Sequence, residues 1–424
     1  MLKYVRRYSD FLSVLPTSVR KAWFWDASSG ITAGIYQGLI WTFVMRIARA
    51  NLHVSSFQIG LMTSAGAFGY LFSAVWARIM EGRSKLPFVY VTWLVARGIF
   101  IFSPLIISRN IYVVLACTTP IVFSISAPAY TAVIQDIYPE QWRGRLMSAT
   151  RVLAQTATLI TALIVGRLLD RGLNFHTAFT VGGAFGAASA ICFSRISMVK
   201  VHRSDEPLPS LKAFLLDTLN ILRRNVGFRW FTASIFIYGF GNLIAQTLYP
   251  IYQVDHFNIT NTVVANMQNI TAILMIISYI VWGHYIDRKG PLAAVVLAMT
   301  LVAIQPIVYI LAGDVRWLYI ASAAGGIAFS GIDVGYINSI ILFSDEGRAS
   351  QYQSVHSSAF GIRGTAAPMV AVPLMLTIGY LRTFWVCFAM ILIGGTLQLI
   401  LLRDYRKHHR QMRSQRYTDP ETAA

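Results

Sequence analysis

Long apolar stretches separated by short polar breaks run through almost the whole chain. They lie near 27–48, 57–80, 87–108, 110–135, 146–169 and 174–196, then near 227–250, 263–285, 291–312, 316–343, 352–378 and 382–403. A helix needs roughly 20 apolar residues to cross the hydrocarbon layer, and each stretch is long enough. The strands of an outer-membrane barrel would be shorter and would alternate apolar with polar positions. The pattern predicts an all-α polytopic membrane protein with twelve transmembrane helices. Its breaks carry charges or turn formers, as in Glu81-Gly82-Arg83-Ser84-Lys85 and Asp287-Arg288-Lys289-Gly290-Pro291.

Ahead of the first span, residues 1–26 place Leu2, Val5, Tyr8, Leu12 and Leu15 along one helical face, with Arg6, Arg7, Arg20 and Lys21 elsewhere. Such a segment is expected to lie on the cytoplasmic membrane surface. Asp26, followed by Ala-Ser-Ser-Gly, is expected to cap the first span. A six-helix bundle over 27–196 is followed by a linker, 197–226. There Ser204 to Ser210 breaks the chain, and Leu211, Phe214, Leu215, Leu219 and Leu222 share a face. A second six-helix bundle covers 227–403, and a basic tail covers 404–424.

Only 13% of the 424 residues are charged and 55% are hydrophobic, about half the charge of a soluble domain. The net charge of +18 would suggest nucleic acid in a soluble protein, but its distribution says otherwise. Arg46, Arg49, Arg109, Arg167, Arg171, Arg316 and Arg382 fall in one set of alternate loops. Arg97, Arg151 and Arg363 fall within spans, and the other 26 basic residues belong to the opposite side. That side is cytoplasmic by the positive-inside rule, so both termini are expected there, in the plasma or inner cell membrane, with no nucleic-acid partner. Cys117, Cys192 and Cys387 lie in apolar stretches without metal-ligand spacing and read as core residues.

The two halves repeat. Val75-Trp76 and Val281-Trp282 are 206 positions apart, as are Glu81 and Asp287, Phe123-Ser124 and Phe329-Ser330, and Tyr130 and Tyr336. A constant offset across separate helices predicts two six-helix bundles related by pseudo-two-fold symmetry about the membrane normal.

Gly283-His284-Tyr285-Ile286-Asp287-Arg288-Lys289-Gly290 resembles the G-x-x-x-D-R-x-G loop of the major facilitator superfamily. Pro139-Glu140-Gln141-Trp142-Arg143-Gly144-Arg145 is similar to its P-x-x-x-R-G-R segment. The first-half copy of the loop is degenerate, with Ala77 and Glu81 for the family's Gly and Asp. The resemblance implies that Glu81, Asp136, Arg143, Arg145, Asp287 and Arg288 form a cytoplasmic gate, and that spans 1, 4, 7 and 10 line a central cavity. No arginine lies in span 4 and no Gly-Pro motif in span 5, so proton-driven efflux does not follow from it.

Ionisable residues within spans usually face a cavity or a partner. Asp333, deep in span 10, reads either as the carrier of a coupling proton or as a static partner of Arg363 in span 11. Arg97 in span 3 reads foremost as a donor to neighbouring helix carbonyls, with substrate binding second. Arg151 is placed to snorkel. Gln37 and Trp41 on span 1 are four apart, and an offset of 205 gives Asn242 and Gln246 on span 7. With Ser126, Tyr130, Asp333 and Tyr336 they supply the polar and aromatic mixture of a ligand pocket.

These features predict a monomeric secondary transporter that moves a small solute by alternating access, with no cofactor or metal. No G-x-x-x-x-G-K-[ST] loop is present for ATP, and no nucleophile–base pair or metal cluster for an enzyme. A lipid flippase on the same fold is the alternative, ahead of a membrane-embedded enzyme.

Overall fold

The computed structural model describes residues 15–72, 75–76, 79–80, 83–197, 210, 220–344 and 349–418. The surface segment predicted from Leu2 to Leu12 and most of the 197–226 linker lie outside the described residues. Helix α1 (Thr17–Tyr36) begins behind Pro16, passes through a five-residue π-turn, Gln37–Trp41, and resumes as α2 (Val44–Ala50). Then come α3 (Ser56–Leu71), α4 (Leu86–Gly98) with a 3-10 extension Ile99–Leu105, α5 (Arg109–Ile137), α6 (Glu140–Asp170) and α7 (Phe175–Ser194). The second half contributes α8 (Val226–Phe257), α9 (Asn261–Lys289), α10 (Pro291–Val302), α11 (Ile304–Leu311), α12 (Arg316–Phe343), α13 (Ala349–Ile378) and α14 (Tyr380–Thr418).

Eleven helical segments among the described residues are long and apolar enough to cross a membrane. The remaining predicted span, 57–80, is represented by α3 and by residues 75–76 and 79 beyond it. Local chemistry sets the boundaries. Ser55 and Gln58 form a reciprocal capping box at α3, at 3.2 and 3.1 Å, which satisfies two otherwise orphaned donors. Asn174 accepts from the His176 amide at 2.9 Å to start α7. Gly290, at a φ of 84° that a side chain would resist, separates α9 from the proline that opens α10. Pro306 lacks the N–H that would reach the Val302 carbonyl, and α10 gives way to α11 there.

The chain forms two compact units. One comprises 1–208 with Asn258–Asn266, the other 209–257 with 267–424. The first is packed around Val89, Trp93, Val133, Tyr138 and Phe193, the second around Phe228, Phe231, Trp282, Met299 and Tyr352. Large apolar side chains also cover outer surfaces, for example Ile280, Ile107 and Leu376, which in water would be an aggregation liability and in a bilayer face lipid.

Within the first unit, the segment that opens α9 is tied down by α2 and α6. Asp170 accepts from the Asn261 and Thr262 amides, each at 2.8 Å, and so caps α9 from another helix. Arg46 Nε donates to the Ile259 carbonyl at 2.9 Å.

Candidate substrate site

In the first unit, the π-turn sets the site. A π-turn inserts one extra residue per turn and re-aims the side chains on either side of it. Here its two end residues, Gln37 and Trp41, border a cavity of about 280 Å³, bounded also by Tyr36, Arg97, Thr119 and Phe123. Trp41 Nε1 donates to the Tyr36 hydroxyl at 2.8 Å, which fixes the indole across the turn.

Arg97, on α4, is almost sealed from solvent at 8% exposure. Its guanidinium carbon lies 4.2 Å from the Trp93 ring centre, 5.3 Å from Phe123 and 5.9 Å from Tyr36. Such cation–π contacts are each worth about 0.5–2 kcal/mol. The hydrogen bond goes not to a helix carbonyl, as the sequence led us to expect, but from Nη1 to Ser189 Oγ on α7, at 2.5 Å. Ser189 in turn donates to the Gly186 carbonyl at 2.6 Å. Gly186 lets the helices meet: a Cβ there would lie 2.6 Å from Arg97 Cβ and 2.9 Å from the Tyr36 ring.

Ser126 and Tyr130 are held in this unit's packing. Ser126 Oγ accepts from Trp93 Nε1 at 2.9 Å and donates to the Phe123 carbonyl. The Tyr130 ring packs against Trp93 and Phe193, at 5.6 and 5.9 Å. They shape the wall behind Arg97 and are not among the residues bounding the cavity.

Asp26 requires a correction. It sits within α1, nine residues past the helix start, and is 3% exposed. Tyr138 Oη and Thr150 Oγ1 donate to its Oδ2 at 2.7 and 3.2 Å. Burial, and then Asp26 itself, push the Tyr138 phenol up, so it keeps the proton it donates. Asp26 therefore clamps α1 to the end of α5 and to α6. A carboxylate directly after the aromatic Trp23-Phe24-Trp25 is the signal for this burial, and the Ala-Ser-Ser-Gly that follows it resembles a helix start.

In the second unit, Asn242 on α8 is buried, with Oδ1 making no hydrogen bond among the described residues, and Gln246 is half-buried one turn on. Tyr336 is buried, its ring edge-on to His356 at 5.1 Å. Asp333 and Arg363 do not pair. Asp333 lies on an exposed face of α12 and accepts from Tyr279 Oη at 2.9 Å. Arg363 is buried on α13 and donates to the Ile235 carbonyl of α8. The register of α12 turns Ile332 and Tyr336 inward and Asp333 away.

Among the expected gate residues, Asp287 and Arg288 are exposed at the end of α9, and Asp136 is half-buried on α5. The Glu81, Arg143 and Arg145 side chains lie outside the described residues.

The sequence model of the Major Facilitator Superfamily matches residues 27–316 and, in a second alignment, 235–420. A search among curated proteins returns no relative. Among solved structures, the nucleoside transporter NupG superposes with a TM-score of 0.71 at 13% identity, over 90% of this chain and 98% of that one. An inward-facing bacterial homologue of the human lysosomal transporter Spinster gives 0.66 at 12%, over 93% and 98%. The human organic anion transporter MFSD10 gives 0.62 at 15%, over 91% and 100%.

Proposed function

Because this chain belongs to the Major Facilitator Superfamily and is a secondary transporter, we propose that its solute seats in the first-unit cavity against Gln37 and Trp41. One observation carries this: two residues chosen from sequence as substrate ligands border the same cavity, beside a buried cation. Ser126 and Tyr130 back that wall. In the second unit, Asn242, Gln246 and Tyr336 are candidate substrate ligands, supported by the unpartnered Asn242 Oδ1. Asp333 is the carrier of a coupling proton, supported by its exposed position on α12. Arg363 serves coupling only indirectly, by holding α13 to α8. Glu81, Asp136, Arg143, Arg145, Asp287 and Arg288 form the cytoplasmic gate of a monomer in the cell membrane, with both termini in the cytoplasm.

The test is a thermal-shift screen of the purified protein against a solute library, followed by uptake into vesicles. Truncating an aromatic anchor at a binding centre costs about 2 kcal/mol or more, so Trp41→Ala should weaken a hit roughly thirtyfold. Asp287→Ala should slow uptake and leave binding intact. A solute whose binding survives both Gln37→Ala and Trp41→Ala does not sit in this cavity.

A further inference from the structure

The solute's chemical class follows from which donors around the cavity are already used. Arg97 carries five N–H donors, and its one hydrogen bond among the described residues goes to Ser189. The three rings stacked near it attract its charge but accept none of its in-plane N–H groups. The Tyr36 hydroxyl accepts from Trp41 and donates to nothing among the described residues. Trp41 Nε1–H is taken by Tyr36, and the Thr119 hydroxyl proton is taken by the Leu115 carbonyl at 3.0 Å. What remains on offer is therefore a guanidinium edge, a phenol proton and the Gln37 amide. Among the described residues no carboxylate borders the cavity. A buried cation without a counter-ion is costly, and an anionic ligand would complete it.

From this geometry we infer that Arg97 is the headgroup ligand for a small organic monoanion, an apolar ring or chain carrying one carboxylate. The inference rests on the seating of the solute in this cavity. One guanidinium matches one carboxylate in a two-pronged hydrogen bond. Among the described residues no second Lys or Arg borders the cavity, so a phosphate dianion would be left half neutralised. Trp41, Phe123 and Pro120 supply apolar walls for the body of the ligand. The volume lies at the lower edge of the roughly 300–1,000 Å³ usual for ligand pockets, which favours a single ring over a dinucleotide or a lipid.

The experiment uses purified full-length protein, with benzoate and phenylacetate as probes and benzamide, phenylacetamide, benzylamine and phenyl phosphate as comparators. A charge-assisted hydrogen bond contributes about 1.5–3 kcal/mol, so each carboxylate should bind at least about tenfold more tightly than its amide, and the amine should not compete. Arg97→Gln should erase the difference between acid and amide, and Arg97→Lys should recover only part of it. Ser189→Ala, which removes Arg97's anchor and leaves its charge, should keep the preference. The wild-type acid-to-amide ratio is decisive even if no Arg97 variant folds. Carboxylates that bind no better than their amides, or not at all, overturn the proposal, as does a preference that survives Arg97→Gln. The seating is judged separately: a neutral or cationic hit from the solute library that depends on Trp41 would retain the cavity and discard only the anion, whereas a hit indifferent to both Gln37→Ala and Trp41→Ala would discard the cavity. Tighter binding of phenyl phosphate than of benzoate also overturns it.

Discussion

Arg97 in the first unit and Arg363 in the second are nearly equally hidden, at 8% and 5% exposure, yet their donors go to different places. Arg97 lies among Trp93, Phe123 and Tyr36, leans on one serine, and borders an open cavity. Arg363 lies against Gly239, where a Cβ would strike its guanidinium, and donates to the Ile235 backbone one helical turn earlier on the same helix. The Phe360 ring lies 5.5 Å from its guanidinium carbon. The first arginine borders a cavity, while the second joins α13 to α8 with its Nε buried and unpartnered among the described residues. A mid-span charge thus indicates function when its donors open onto a cavity, and architecture when they end on a carbonyl.

The largest effect should come from closing the space that admits Arg97. Gly186→Ala places a Cβ against Arg97 Cβ and the Tyr36 ring, both anchored close to their helices. Overpacking of this kind costs about 1–3 kcal/mol, and the upper end is expected because neither neighbour can swing aside. Gly239→Ala meets the movable end of Arg363 and should lower the melting temperature less. Equal losses, measured in detergent, would mean that both arginines are packed alike.

Next comes the removal of each charge. Arg363→Met gives up a charge-assisted bond between α13 and α8 and should cost about 1.5 kcal/mol, with downhill exchange per folded molecule kept. Arg97→Met should abolish uptake, and because it loses the bond to Ser189 and three ring contacts its melting temperature should fall at least as far. A melting temperature that rises for Arg363→Met would show that burying the guanidinium costs more than the bond returns, and the contrast would collapse.

Much of the architecture was legible because hydropathy acts locally and a repeat preserves it. The spans and the 206-residue offset needed no tertiary information, and Ser124 and Ser330 are both wholly buried, each donating to the carbonyl three residues back. The site was legible only in part. The spacing of Gln37 and Trp41 presumes a regular helix; the segment is a π-turn, which no propensity announces, and both still border the cavity. Arg97's partner lies 92 residues away and Asp26's partners 112 and 124 away, on helices whose rotation a single sequence does not fix. The Asp333–Arg363 pair failed for the same reason. Opposite charges on successive spans looked complementary, but α12 presents Asp333 to Tyr279 instead.

The smallest effect on stability, and the sharpest on function, is expected at Asp333. Its carboxylate is exposed and accepts one hydrogen bond from Tyr279, and an asparagine oxygen can accept the same bond. Asp333→Asn should therefore hold its stability to within about 0.5 kcal/mol, as exposed substitutions do. Had the residue balanced Arg363, the same change would have stranded a buried charge at a cost of about 3–5 kcal/mol, so the melting temperature alone separates the two roles. Transport then tests the proton. Asparagine cannot titrate, so accumulation driven by a pH gradient should vanish, while downhill exchange continues because the first-unit cavity is untouched. A stable Asp333→Asn protein that still concentrates solute against its gradient would place the coupling step elsewhere, and Asp26, with its carboxylate held by a phenol and a hydroxyl, would be the next acid to replace.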